Sequence, residues 1–191
     1  MTAKAGAELY SLLRQQFGGD LLRPGDAEYE NARGVWNGMF DRHPAVIARC
    51  LNVSDIQNAI RAATEAGSLT AVRCGGHSLA GFSTCERGLV IDLSLMRQVS
   101  VDPEMRRARF AGGCLLGSID TATQRAGLVF PSGVVSHTGA GGLVLGGGTG
   151  WLTRRFGLSC DNVEGFTLVT ADRSVIRANA RENTDLFWAL R

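Results

Sequence analysis

The chain has 191 residues, with 20 Lys and Arg against 18 Asp and Glu, and a formal net charge of +2 at pH 7. This length corresponds to about one or two ordinary domains, which is enough for a sizeable hydrophobic core. Because the charge is small and the basic residues are scattered, we expect neither nucleic acid nor an anionic membrane as a partner. The five cysteines have no paired spacing, and no cluster of Cys and His predicts a metal site.

The first residues have apolar side chains at helical spacing but no secretory hydrophobic region. We assign residues 1–40 to a helical lead-in. Since no stretch of the sequence is long and apolar enough to span a bilayer, we expect a cytoplasmic protein.

Helices and strands are interspersed along the rest of the chain. The first predicted elements are a strand at Ala45–Ala48, a helix with a capping box of Ser54 and Gln57 that stops at Gly67, and strands at Leu69–Arg73 and Leu89–Leu93. They are followed by a hairpin of Val99–Val101 with Arg107–Phe110, a helix at Leu115–Arg125, a short helix at Trp151–Phe156, a hairpin of Phe166–Thr170 with Ser174–Ala178, and a helix that reaches Arg191. This mixture predicts an α+β fold.

The first informative motif is VRCGGHSLAG, which runs from Val72 to Gly81 after an apolar run. A backbone that curls at Gly75 and Gly76 leaves a row of amide N–H groups on one side. Such a concavity suits an anion, and a pyrophosphate would fit it. From these residues alone, a plain strand-to-loop turn with a solvent-facing His77 is an equally good interpretation.

The second motif is GAGGLVLGGGTG, from Gly139 to Gly150. So much glycine costs backbone entropy unless another backbone or a ligand approaches closely. Neither a P-loop nor the glycine spacing of a Rossmann fold is present. A flexible linker would be rich in serine, whereas leucine and valine lie inside this segment and Trp151 follows it. The pattern therefore favours ordered, buried glycine.

Three blocks in a fixed order resemble the FAD-binding domain of the vanillyl-alcohol oxidase and p-cresol methylhydroxylase superfamily, in particular its berberine-bridge-enzyme-like oxidases. The blocks are VRCGGHSLAG with GLVIDLS after it, FPSGVVSHTGAGGLVLGGGTGWLTRRFGLSCDNV, and LVTADRSVIRANARENTDLFWALR. The similarity runs from about Pro44 to Arg191. It implies a PCMH-type FAD-binding domain over residues 41–191, with two α/β subdomains that hold FAD between them. The domain is expected to be C-terminally incomplete, because the family's substrate domain follows this point.

The resemblance also assigns roles to individual residues. His77 matches the histidine that bonds covalently to the 8α-methyl carbon of the isoalloxazine ring. Val135 stands where bicovalent members carry a cysteine, so a single linkage is implied. His137 is either a group that faces the ring or an ordinary loop histidine. The residues implied to bind FAD are Arg73, Cys74, Gly75, Gly76, His77, Ser78 and Gly81 at the pyrophosphate, Val135, Thr138, Gly139 and Gly142 at the flavin, and Ile176 at the adenine.

The implied activity is oxidation of a sugar, an alcohol or an alkaloid-like small molecule by hydride transfer to flavin N5, with molecular oxygen as the acceptor. The family's substrate base comes from the later domain, so the catalytic residues are unknown. We interpret Asp41, Asp92, Asp161 and Glu164 as caps, turn residues or solvated charges. A flavin dehydrogenase with another acceptor and a catalytically inactive FAD-binding fragment remain as alternatives. The chain expressed alone is expected to be inactive and poorly soluble, with Leu186, Phe187 and Trp188 exposed.

Overall fold

The computed structural model describes residues 3–191, which divide into two compact units. Unit 1 comprises Met1–Met96 and Ala171–Ser174, and unit 2 comprises Arg97–Thr170 and Val175–Arg191. Within the described range, every helix is too short or too polar to cross a bilayer.

Unit 1 is built on a four-stranded sheet. Its strands are β1 (Asp20–Leu22), β2 (Val46–Arg49), β3 (Thr70–Arg73) and β4 (Leu89–Asp92), and its helices are α1 (Ala3–Arg14), α2 (Tyr29–Arg33) and α3 (Val53–Glu65). The strand order is β1-β2-β4-β3, in which β2, β4 and β3 are parallel and β1 forms an antiparallel edge. The lead-in therefore contributes its strand to this sheet.

The two central strands of the unit 1 sheet, β2 and β4, are buried on both faces, which accounts for their continuous apolar runs, whereas the edge strand β3 exposes Thr70 and Val72. Val46 and Ala48 enter one hydrophobic cluster, and Ile47 between them enters the other. The first cluster also contains Leu9 and Leu13 of α1 together with alanines of α3. The small alanines let α3 pack closely against the sheet.

The predicted capping box makes Ser54 the N-cap of α3, whereas the helix begins two residues earlier. The N-cap is Asn52, whose Oδ1 accepts a hydrogen bond from the amide of Asp55 at 3.0 Å. The Asp55 carboxylate in turn accepts from the amides of Gly18 and Leu51, which anchors the helix start to the chain around it. The predicted stop is confirmed, because α3 ends at Glu65 and Gly67 has a φ of +56°.

Unit 2 contains two antiparallel hairpins and several short helices. The strands are β5 (Val99–Asp102), β6 (Arg107–Phe110), β7 (Gly165–Val169) and β8 (Val175–Asn179), and the helices are α4 (Leu116–Arg125), α5 (Ala140–Leu145), α6 (Thr153–Phe156) and α7 (Thr184–Ala189), with a 3-10 turn at Cys160–Asn162. Both hairpins occur where the sequence predicts them, within one residue. The core of this unit joins Cys114, Leu116 and Ile119 to Ala140 of α5.

Two features of unit 2 differ from the sequence predictions. Helix α5 lies inside the second glycine-rich segment and was not predicted, because Gly141 and Gly142 lower its intrinsic helix propensity. Helix α7 ends at Ala189 instead of reaching Arg191. The expectation that Phe187 is exposed is wrong, since its ring is buried and lies 6.0 Å from that of Phe166 on β7. The α+β class is confirmed.

The second glycine-rich segment is ordered by close backbone approaches. A Cβ at Gly150 would collide with the carbonyl oxygen of Ser132, and one at Gly148 would collide with the Ser159 side chain. The carbonyl of Gly148 also accepts a hydrogen bond from the Ser159 amide at 2.8 Å. Trp151, which follows the segment, is 88% exposed.

The glycine geometry predicts opposite effects of the same substitution at two positions. Gly150→Ala should lower the free energy of unfolding by about 1–3 kcal/mol, because the new methyl group meets a fixed carbonyl. Gly142→Ala is the matched control: its Cβ would meet open space within α5, so we expect a gain of about 0.5–1 kcal/mol from helix propensity. Urea unfolding of the cofactor-free protein measures both. Equal effects at the two positions would contradict the close approach at Gly150.

Candidate functional site

The loop that follows β3 forms a tight backbone turn in unit 1. Gly76 has a φ of +70° and Gly81 a φ of +71°, which is the region that favours glycine. Among the described residues, the backbone amides of Gly75, Gly76 and Ser78 donate none of the backbone–backbone hydrogen bonds. The far end of the turn is closed by the Gly81 amide, which donates to the Ser78 carbonyl at 3.1 Å. These amides are the donors that an anion would use.

His77 lies in the middle of this turn and is partly exposed. Its imidazole stacks on the indole of Trp36, with the ring centroids 5.3 Å apart and the planes at 18°. The Trp36 amide donates to the carbonyl of Gly76 at 3.0 Å, so the two segments are joined through their backbones as well. Trp36 was not singled out in the sequence, because it lies far from the motif along the chain in a segment without regular structure.

Arg73 and Asp92 form an ion pair at the carboxyl ends of β3 and β4. The guanidinium donates to Asp92 Oδ2 at 2.6 Å, and the Asp92 side chain is only 1% exposed. Arg73 also donates to the carbonyls of Ala32 and Gly34. The interpretation of Asp92 as a solvated charge is wrong, although its Oδ1 does accept from the Ser94 amide as a turn residue would.

Arg42 and Phe40 hold the far side of the loop, and neither was singled out in the sequence. One nitrogen of Arg42 donates to the carbonyls of Gly81 and Thr84, both at 2.8 Å. A Cβ at Gly81 would lie 2.5 Å from the ring of Phe40, so only glycine fits there without a shift. The hydroxyls of Ser83 and Thr84 are buried, and no hydrogen-bond partner for them occurs within residues 3–191.

The two cysteines closest to the loop in sequence differ in accessibility. Cys74 lies within the turn and is partly exposed. Cys85 is buried, with its thiol directed at the carbonyls of Leu69 and Leu89 near the starts of β3 and β4, and burial raises the pKa of that thiol above the usual value. A buried thiol with a raised pKa is a poorer nucleophile than an accessible one.

In unit 2, the predicted flavin-lining residues form one continuous stretch ahead of and within α5. The Thr138 amide donates to the carbonyl of Val135 at 3.0 Å, which closes a turn. The Leu116 amide at the start of α4 donates to the Thr138 carbonyl. Val135 is 40% exposed, and Gly139 is buried as the N-cap of α5.

The other predicted positions in unit 2 are placed as follows. Gly142 lies on the exposed side of α5, and Ile176 lies apart from this stretch, on β8 opposite Leu168. His137 is exposed in the turn. No group of three or more His, Cys, Asp or Glu side chains that could hold a metal ion occurs in the described part of the chain.

Comparison with known proteins identifies the family. A family profile described as "FAD binding domain" matches residues 44–179, which is most of the chain. The chain belongs to this FAD-binding domain family. Its cofactor is FAD, and the resemblance to the vanillyl-alcohol oxidase and p-cresol methylhydroxylase superfamily is confirmed.

Individual relatives are similar over nearly the whole chain. The (R)-6-hydroxynicotine oxidase of Paenarthrobacter nicotinovorans is 38% identical over 173 residues, covering 91% of this chain and 38% of the relative. The structure of berberine-bridge-enzyme-like protein 1 from Physcomitrella patens is 33% identical, with a TM-score of 0.91, and the match covers 96% of this chain and 40% of that one. Xylooligosaccharide oxidase from Myceliophthora thermophila is 31% identical, also with a TM-score of 0.91, over 96% of this chain and 39% of that one. The chain thus spans about two fifths of the length of these relatives.

The buried ion pair under the loop predicts a strong dependence of stability on Asp92. Asp92→Asn should lower the free energy of unfolding by about 3–5 kcal/mol, because it leaves the buried Arg73 charge without its counter-ion. Glu65→Gln is the control: it removes an ion pair with Arg61 in which the Glu65 side chain is 47% exposed, and it should cost less than about 1 kcal/mol. Urea unfolding monitored by circular dichroism gives both values. A cost for Asp92→Asn as small as that of the control would show that the pair contributes little.

Proposed function

We propose that the protein is an FAD-linked oxidase that takes hydride from a small-molecule substrate and passes the electrons to molecular oxygen. The observation that carries the proposal is the turn after β3, where the amides of Gly75, Gly76 and Ser78 surround a partly exposed His77. The oxidase names of the relatives support the reaction class.

The residues of the turn fit the diphosphate of FAD. Backbone N–H groups can hold phosphate oxygens directly, and the left-handed glycines Gly76 and Gly81 let the chain curl without a side chain in the way. The Arg73 guanidinium is already engaged by Asp92 and two carbonyls. We therefore propose that amides, and not the Arg73 side chain, supply most of the attraction for the diphosphate. Cys74 and Ser78 complete the proposed contact set in this loop.

We propose that His77 bonds covalently to the 8α carbon of FAD and that this is a single linkage. Val135 has no nucleophilic atom, and Cys85, which follows the loop in sequence, is buried and has a thiol with a raised pKa. His77 acts as the tether in this proposal and not as an acid or a base. The tether prevents loss of the cofactor during turnover.

In unit 2, we propose that Val135, Thr138, Gly139 and Gly142 contact the isoalloxazine ring and that Ile176 contacts the adenine. Two observations support contact with a flat ring system. Val135 offers exposed apolar surface, and no atom lies within 4 Å of where a Cβ of Gly142 would be. Gly139 is buried, so only its backbone could take part.

When bound, FAD supplies a two-electron acceptor for the hydride of a substrate C–H bond. Three carboxylates of this chain are engaged in structural contacts: Asp92 with Arg73, Glu164 with Arg107 at 2.7 Å, and Asp161 with the Leu158 amide at 2.8 Å. We therefore propose that none of these three removes the substrate proton. The substrate class that we propose is a sugar, an alcohol or an alkaloid-like small molecule, in line with the (R)-6-hydroxynicotine and xylooligosaccharide in the names of the relatives.

The reaction class can be tested by reduction of the bound flavin without oxygen. The complete flavin-loaded protein is mixed anaerobically with (R)-6-hydroxynicotine, xylobiose and a panel of simple sugars and alcohols. We expect one of them to bleach the visible flavin absorbance, and readmitted oxygen to restore it with formation of hydrogen peroxide. Recovery with a quinone but not with oxygen would identify a dehydrogenase instead. If no compound of these classes bleaches the flavin, the proposed substrate class is wrong.

The covalent linkage predicts that the protein stays yellow after acid precipitation. His77→Ala should release all of the flavin on denaturation, because the only tether is lost, while the loop amides still bind FAD in the native protein. Leu79→Ala, at an exposed position of the same loop outside the proposed contact set, is the matched control and should keep the colour bound. Mass analysis of the flavin peptide should show one modified residue, His77. Colour that remains bound in His77→Ala, or a peptide crosslinked through a cysteine, would contradict the assignment.

A further inference from the structure

The segment from Gly34 to Phe40 lies alongside the loop after β3 and is fastened to it at several points. At one end, Arg73 donates to the carbonyl of Gly34, and in the middle the Trp36 amide donates to Gly76. Further along, the Asn37 side chain donates to the carbonyl of Leu79 at 2.8 Å. We call this segment the flanking strap. These contacts hold the strap against the loop.

Trp36 is the residue of the flanking strap that meets His77. Its indole is nearly parallel to the imidazole, at a separation typical of offset-stacked aromatic pairs. Trp36 as a residue is 59% exposed, so burial of its own surface does not explain why an aromatic residue is placed there. The contact instead covers one face of His77, which lies between Gly76, with its positive φ, and Ser78.

We propose that Trp36 is a positioning residue for the covalent attachment of FAD to His77. The inference rests on the proposed function, in which His77 is the tether. In the attachment, a bond forms between an imidazole nitrogen and the 8α carbon, and one C–H bond of the 8α-methyl group breaks. That hydrogen and the imidazole N–H hydrogen pass with two electrons to the isoalloxazine ring. Molecular oxygen then takes up both hydrogens and both electrons to give hydrogen peroxide.

The stack acts on this step through orientation. A nucleophile must be held close to its target and aligned with it, and a histidine in a glycine-rich loop has several side-chain rotamers. The indole face restricts the imidazole to the rotamers in which the two rings are parallel. It also stabilises the positive charge that the imidazole gains as the new bond forms, because an aromatic face attracts a cation. Loss of the stack should therefore slow the attachment without altering what the loop amides bind.

The experiment measures the rate of attachment in the complete protein. Cofactor-free protein from a riboflavin-starved auxotroph is mixed with FAD, and acid-stable flavin fluorescence is followed in denaturing gels over time. Trp36→Leu keeps the backbone bond to Gly76 but removes the aromatic face, and we expect the rate to fall about tenfold. Trp36→Phe restores a stacking ring and should recover the rate to within about threefold of the unaltered protein. Met39→Leu, at an 87% exposed position of the same strap, should leave it unchanged.

A second measurement separates positioning from cofactor binding. In a His77→Ala background, Trp36→Leu should leave the dissociation constant of FAD within about twofold, because the stack has no partner left to orient. Attachment by Trp36→Leu at the unaltered rate would overturn the proposal. So would a weakened FAD affinity in the His77→Ala background, since the indole would then be contacting FAD directly. An unaltered protein that carries no acid-stable flavin would instead refute the tether itself, and with it this inference.

Discussion

The buried ion pair of Arg73 and Asp92 is the interaction on which the arrangement of unit 1 depends. The two residues occupy paired positions at the carboxyl ends of neighbouring parallel strands, which is where loops of open α/β sheets bind ligands. Their removal from water is costly, and the cost is offset only because the guanidinium also donates to two carbonyls and the carboxylate also accepts from an amide. These extra bonds connect the end of β3 to the last turn of α2 and to Gly34 after it, and the end of β4 to the turn that follows it.

The ion pair also determines which groups near the loop are available to bind an anion. With its guanidinium committed to Asp92, Arg73 does not present a mobile charge to an anion. In the proposed function, the loop that begins at the next residue binds the diphosphate through backbone amides, whose direction is set by the turn at Gly76. On that proposal, amides fixed in this way need no reorganisation when FAD binds. A long cationic side chain would lose rotamer entropy in the same role.

Much of the fold could be predicted from the sequence, because its signals are local. Apolar runs marked the buried parallel strands, and the turn residues around Asp102 and Asp172 marked both hairpins. Helix α5 could not be predicted in this way. Its two internal glycines oppose a helix, and its packing on α4 through Ala140, a tertiary contact, outweighs that preference.

In the site, too, features formed by neighbouring residues in the chain could be predicted, and features formed by tertiary contacts could not. The histidine and glycines of the loop after β3 are adjacent in the chain, so their pattern could be recognised and matched to a family. Asp92 could not be distinguished from a surface carboxylate, because its burial depends on β3 and β4 being neighbours in the sheet. The stacking of Trp36 on His77 could not be predicted from the sequence, since it depends on the flanking strap lying against the loop.

Glycine in this chain serves two different physical needs, which its abundance in the sequence does not distinguish. At Gly76 the need is conformational, because a positive φ turns the backbone and there is no steric obstacle nearby closer than 3.6 Å. At Gly150 the need is steric, because a neighbouring carbonyl occupies the space of a side chain. Gly81 has both needs, with a positive φ and the ring of Phe40 against it. The far end of the loop after β3 is therefore fixed both by its own turn and by Phe40 of the flanking strap. A displacement of the strap would be transmitted to this loop and to His77 within it.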